Sequence, residues 1–368
     1  MGNLPRTVTS PTKFIIGTHQ LAQMAEYVSP LGKHAFILSS QSNFDRVESL
    51  AVPALKEAGI GCVIEKFNRQ CTEAEIQRLG RIVVQRGADV IVGVGGGQAL
   101  DCAKAVAYYQ RKPLVLYPTV ASTDAPCTAL SVIYTEEGEF ERYLFLPRNP
   151  DAVVADTGIL AAAPQYFFSA GVGDALATYF EARACYEADG VNLVLKRPSR
   201  TGLGLARLCY QLLSENVEKA MEAVRDKVMT PALEQMLEAT IYLSGVGAEA
   251  GGLAAAHAVN NGMSVIADLH ETQHGEKVVF GLLTQLVLED APQDEFDEVI
   301  RIAKAAELPL SLKEMGLKSF IEADWRKVAE VACDEKDTMS NMPVPVSVDD
   351  VYQAMVKANE IAESYCMA

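Results

Sequence analysis

The sequence predicts two regions of different class: an α/β region over residues 1–160 built on a mainly parallel sheet, and an all-helical region over residues 161–368. Three observations predict it. Up to about residue 160, short apolar runs alternate with amphipathic stretches, the pattern of buried strands covered by helices. Beyond Ala161 the strand signals stop and only helical periodicity continues. Between the two patterns of the first region, the apolar run Val90–Val94 breaks on Gly95-Gly96-Gly97 before a helix-like stretch.

The elements follow in order. Ala35–Ser39, Cys62–Ile64, Ala88–Val94, Leu114–Tyr117 and Ala152–Ala155 read as strands, and Val47–Ala58, Glu73–Arg86 and Gln98–Gln110 as helices. Ser131–Tyr134 and Arg142–Leu146 read as a hairpin turning on Glu137-Gly138. Helices are then expected over Phe167–Ala188, Gly202–Asn216, Val217–Met229, Ala232–Gly245, Ala254–Ile266, Glu276–Glu289, Phe296–Ala306 and Val351–Glu363. Pro231, Pro292, Pro309 and Pro343 fall between them as breakers.

Composition narrows the class. Among 368 residues, 49% are hydrophobic and 22% charged, a globular balance with room for a large core. The net charge of −16 disfavours nucleic acid and anionic membrane as partners. The eight cysteines show no C-x-x-C spacing and read as reduced core thiols. The first residues lack the apolar stretch of a signal peptide, and no uncharged run approaches a membrane span, so a cytoplasmic location is expected.

Gly95-Gly96-Gly97 places bare backbone amides beside a helix N-terminus, where orphan donors and the helix dipole favour a phosphate. The segment is neither G-x-G-x-x-G, which needs glycine at Gln98, nor a P-loop. A tight turn with close backbone packing is the other reading. A binding turn here would make the sheet Rossmann-like, with its ligand at the carboxyl ends of the strands. The loop Pro118–Thr128 follows a strand at that same edge and is rich in hydroxyls. It suits phosphate, ribose or amide, or simply a Ser/Thr turn ending at Pro126.

Three of the five histidines, His257, His270 and His274, cluster in the helical region. His257 follows a Gly-Gly-Leu-Ala-Ala-Ala stretch, His274 precedes Gly275-Glu276-Lys277, and Asp174 stands among small residues in Gly171–Leu176. Two imidazoles and one carboxylate are the ligand set of a catalytic zinc, and suit ferrous iron equally. Residue type alone also allows an N-cap aspartate, a core histidine and a surface histidine.

Five segments decide between these alternatives. Gly95 to Asp101, Thr119 to Cys127, Gly171 to Thr178, Gly251 to His257 and His274 to Lys277, in this order, resemble the bacterial glycerol dehydrogenases, a zinc-dependent branch of the iron-containing alcohol dehydrogenase family. The resemblance runs over nearly the whole chain and extends to Ser131–Pro150 and Tyr242–Gly252. It implies a dehydroquinate synthase-like fold: a dinucleotide domain, a helical metal and substrate domain, and an active site between them. It implies metal ligands at Asp174, His257 and His274, one zinc per subunit (ferrous iron being the other candidate), and a substrate-seating carboxylate at Asp124. Cofactor contacts fall on Gly95, Gly96, Gly97, Gln98, Ala99, Leu100 and Asp101, on Thr119, Val120, Ala121 and Ser122, and on Thr128, Leu130 and Tyr134. His270 is not counted as a ligand, and Asn261 stands where the iron enzymes carry a further histidine.

The implied activity is NAD-dependent oxidation of glycerol to dihydroxyacetone, by hydride transfer from a secondary hydroxyl, in a homo-oligomer expected to be an octamer. Two departures bear on the cofactor. An acidic residue often follows the strand that here ends at Ser39, to take the adenine ribose; Ser40 stands there. Gln98 replaces a common lysine. NAD is expected, with NADP left open. The alternatives are a relative acting on 1,2-propanediol, a hydroxy acid or glycerol 1-phosphate, a dehydroquinate synthase-like lyase, and a non-catalytic protein of the same fold.

Overall fold

The computed structural model describes residues 4–366. The chain divides into two compact units: Thr9–Ala163 with Lys227–Met229, and a helical unit that holds Pro164–Asp226 and the chain from Thr230 onward.

The first unit contains β1 (Phe14–Gly17), α1 (Met24–Val28), β2 (His34–Ser39), α2 (Phe44–Glu57), β3 (Gly61–Lys66), α3 (Glu73–Arg86), β4 (Val90–Gly95), α4 (Gly97–Gln110), β5 (Leu114–Pro118), β6 (Leu130–Tyr134), β7 (Phe140–Phe145), β8 (Ala152–Asp156) and α5 (Thr157–Ala162). Six strands form one parallel sheet in the order β1-β8-β5-β4-β2-β3. As the apolar alternation predicts, the central strands are buried on both faces. Val90, Val92 and Val94 of β4 pack in one cluster with Ala35 and Ile37 of β2 and with Val47, Ala51 and Leu55 of α2. On the other face a Cβ at Gly93 would meet Ala103 and Leu116, so α4 lies close against the sheet.

Local signals set the helix ends. Thr72 caps α3 by accepting from the Glu75 N–H, and Gly87 closes it in the left-handed region at φ 64. The expected hairpin forms as an antiparallel pair, Leu130 opposite Phe145, with Gly138 at φ 89 in the turn.

The helical unit contains α6 (Gln165–Glu187), α7 (Arg200–Asp226), α8 (Pro231–Leu237), α9 (Ser244–Gly251), α10 (Ala255–Gly262), α11 (His274–Leu288), α12 (Gln293–Ala305), α13 (Glu322–Ala332) and α14 (Val348–Cys366). Two helices expected at Gly202–Asn216 and Val217–Met229 are one. Asn216, the expected break, lies inside this helix, and its side-chain amide donates to Leu212 O one turn back. The helix expected at Ala232–Gly245 continues to Gly251 through a wider π turn over Glu238–Leu243. The sequence reading left out β1, α1, α5 and α13. Among the described residues no helix is long and apolar enough to cross a membrane.

A candidate metal centre and a candidate dinucleotide turn

The helical unit brings three distant residues to one point. Asp174 lies in the middle of α6 and is 1% exposed; His257 lies in the first turn of α10; His274 is the first residue of α11. His257 Nε2 is 3.3 Å and His274 Nε2 3.1 Å from the same oxygen, Asp174 Oδ1. One ligand atom from each residue lies within 4.8 Å of the others.

Glycine makes this convergence possible. A Cβ on Gly275 would stand 1.7 Å from Ala170 O, so only glycine lets α11 begin against α6 with His274 facing Asp174. Gly252, at φ 95 and with its Cβ position 2.4 Å from Cys185 Sγ, turns the chain from α9 towards α10 against the same helix.

A second carboxylate completes the arrangement. Glu181, two turns along α6 from Asp174 and fully buried, places Oε2 2.5 Å from His257 Nδ1. Its Oε1 accepts from the N–H groups of Ala254 at 2.8 Å and His257 at 2.9 Å. Gln285 Oε1 accepts from the Ala256 N–H at 3.1 Å. The first turn of α10 has no capping side chain of its own, so Glu181 and Gln285 satisfy its orphan amides. Glu181 thereby fixes both the backbone and the ring of His257, and turns Nε2 towards Asp174.

Electrostatics agree with the geometry. Burial alone would raise the Asp174 carboxyl, but His274 and His257 outweigh it and hold Asp174 well below the usual carboxylate range. Burial disfavours a charged His257, yet Glu181 and Asp174 overcome it and lift the imidazole well above its ordinary value. An acidic cluster of this kind attracts a cation: a divalent metal ion or, in its absence, a proton.

His270 lies outside this group, exposed, with Nε2 3.1 Å from Ser264 O. Glu181 was missed by the sequence reading. Its signal was the seven-residue spacing from Asp174, which puts both carboxylates on one face of an apolar helix.

In the α/β unit, Gly95 ends β4 and Gly96 stands at the N-terminus of α4 with no side-chain cap. Gln98 is exposed, whereas Ala99 and Leu100 are buried under the turn. The loop after β5 lies beside it: the Thr119 N–H donates to Gly95 O at 3.0 Å, and Val120 Cγ2 lies 3.3 Å from the Cβ position of Gly96. The expected contact residues Thr119–Ser122 and Gly95–Gly97 therefore share one strand edge. Ser40 is there too, its Oγ 3.4 Å from the Cβ position of Gly95.

Asp101 has an internal partner. Its Oδ1 meets Lys104 Nζ at 3.1 Å and its Oδ2 accepts from the Val132 N–H at 3.1 Å. Burial raises the Asp101 carboxyl, and Lys104 draws it part of the way back. Lys104 Nζ, itself buried, also donates to Leu130 O at 2.8 Å and to Ala125 O, tying α4 to the loop that carries Asp124 and Thr128. Asp124 is half-buried at the start of a short turn over Ala125–Cys127. Tyr134 closes β6, with its N–H on Cys71 O.

The model of the iron-containing alcohol dehydrogenase family matches residues 11–157. A glycerol dehydrogenase of Pseudomonas putida is 45% identical over 98% of this chain and 99% of its own. A glycerol dehydrogenase of Thermotoga maritima is 45% identical over 96% of each. The crystal structure of a probable glycerol dehydrogenase from Sinorhizobium meliloti superposes with a TM-score of 0.93 at 38% identity, covering 98% of this chain and 100% of that one. The chain belongs to the iron-containing alcohol dehydrogenase family and, within it, to the glycerol dehydrogenases, and is an oxidoreductase.

Proposed function

We propose that this chain oxidises glycerol to dihydroxyacetone, with NAD as hydride acceptor and one zinc ion per subunit held by Asp174, His257 and His274. The observation that carries the proposal is the approach of both Nε2 atoms to Asp174 Oδ1, at 3.3 and 3.1 Å. The donor set fits a divalent ion of the zinc or ferrous type: two imidazole nitrogens and a carboxylate oxygen, with the other His257 nitrogen already committed to Glu181. When bound, the ion supplies Lewis acidity that lowers the pKa of the reacting hydroxyl.

The remaining work falls to the chain. Asp174 and the two histidines set the place of the ion, and Glu181 holds His257 as the tautomer whose Nε2 is free to ligate. Asp124 accepts a hydrogen bond from a second substrate hydroxyl, which selects polyols over monohydric alcohols. The amides of Gly95–Gly97 and the start of α4 receive the pyrophosphate, with Thr119–Ser122 alongside. Thr128, Leu130 and Tyr134 line the nucleotide further along. When bound, NAD would supply the hydride acceptor; overall, glycerol and NAD give dihydroxyacetone, NADH and a proton that passes to solvent.

In this reading the α/β unit handles the dinucleotide and the helical unit the metal and substrate, with the division near residue 160. A cytoplasmic homo-oligomer is the assembly that goes with it, tested by sedimentation. The activity is tested with NAD and a panel of glycerol, 1,2-propanediol, 1-propanol, lactate and glycerol 1-phosphate. Glycerol should give the highest kcat/KM and 1-propanol the lowest. Preference for the acid or the phosphate would replace the substrate assignment.

A further inference from the structure

Ser40 directly follows the strand next to the glycine turn: its N–H donates to Val94 O at 2.9 Å, and its Oγ lies against Gly95. In parallel dinucleotide-binding sheets this strand end faces the adenine ribose. A carboxylate there takes the ribose hydroxyls and repels a 2′-phosphate, whereas a nearby arginine accepts one. Here residues 40–43 read Ser-Gln-Ser-Asn, with no ionisable group. Asn43, buried, ties the corner together. Its Nδ2 donates to Ser40 Oγ at 2.9 Å and to Thr119 Oγ1 at 3.1 Å, while its Oδ1 accepts from Arg46 Nη1.

One side-chain amide therefore links a guanidinium to the hydroxyl of Ser40. Lys66 adds a second cation: it is the register partner of Ser39, and its Nζ lies 4.5 Å from the ring centroid of Phe44. Of the carboxylates at this end, Glu65 faces Arg78 at 3.5 Å and Asp45 is exposed on α2. We infer that Ser40, Asn43 and Arg46 form a 2′-phosphate subsite, so that the chain takes NADP as well as NAD. The inference rests on the dinucleotide reading above. A phosphate at this point gains a forked pair of charge-assisted bonds from Arg46 and one from the Ser40 hydroxyl, with no carboxylate among residues 40–43 to repel it.

Fluorescence titration of the metal-loaded protein with NADH and NADPH tests this apart from turnover. The NADPH dissociation constant should lie within about tenfold of that for NADH. Arg46→Gln should weaken NADPH by about tenfold or more, and NADH by less. Ser40→Asp should shift the preference towards NADH by repulsion. NADPH binding about a hundredfold weaker than NADH in the unsubstituted protein, or an equal loss of both in Arg46→Gln, would overturn the inference. Similar binding of both by a protein inert towards glycerol would uphold it and refute the substrate assignment. Binding of neither would overturn both.

Discussion

Glu181 Oε2 lies 2.5 Å from His257 Nδ1, and the other oxygen of the same carboxylate holds the His257 N–H. One buried carboxylate thus orients both ring and backbone of a residue whose Nε2 faces Asp174. Partners of this kind keep the ring in one tautomer and raise its basicity, and losing them typically costs about 10–100-fold in metal affinity. Glu181→Gln should show a loss of that size in zinc affinity, measured by competition with a chromophoric chelator. An unchanged affinity would leave Glu181 as a helix cap only.

Metal binding at this centre should depend on pH with a definite sign. Glu181 and Asp174 raise His257 above its ordinary value against the opposing effect of burial, so the metal-free ring keeps its proton to higher pH than a free imidazole does. A ligating imidazole is neutral, so the ion must displace that proton, and affinity falls about tenfold per pH unit below the pKa for each proton displaced. Zinc affinity should therefore still be rising at and above pH 6.5, where a free imidazole is already losing its proton. A plateau already reached at pH 6.5 would contradict the proton competition.

Asp124→Asn removes the charge of the group proposed to seat the polyol while keeping its shape. A hydrogen bond to a charged group contributes about 1.5–3 kcal/mol, so kcat/KM for glycerol should fall about ten- to a hundredfold. Affinity for NADH, measured by fluorescence, should change much less. An equal loss in both would move Asp124 from the substrate to the nucleotide.

Lys104 is buried and bonded to Asp101, Leu130 O and Ala125 O. Replacing it with methionine strands the Asp101 charge and leaves carbonyls without a donor. Breaking a buried pair from one side costs about 3–5 kcal/mol. Urea unfolding of Lys104→Met should show a loss of that order. A loss below about 1 kcal/mol would mean that Asp101 takes up a proton at little cost.

Local pattern carried most of the α/β unit. The strands around the glycine turn are unbroken apolar runs, and α3 has both a threonine cap and a closing glycine. Elements that depend on distant partners were hidden. β1 has four residues, half-buried, and exists by pairing Phe14 with Val153 far along the chain. α13 is rich in charge and presents only Trp325, Val328, Ala329 and Ala332 to the interior. Asp174, His257 and His274 stood out by residue type and family pattern. Glu181, Asn43 and Lys104 did not, because an ionisable or amide residue within a helix reads as a solvated face until the fold shows it buried.

The central claim is that Asp174, His257 and His274 hold the ion on which glycerol oxidation depends. The most direct test follows NADH formation from glycerol at alkaline pH before chelator treatment, after it, and with zinc added back, counting bound metal per chain at each stage. The account predicts that activity and one ion per chain are lost together and restored together by zinc, and that Asp174→Ala restores neither. Full turnover by protein verified free of metal, or by the Asp174→Ala variant, would contradict it.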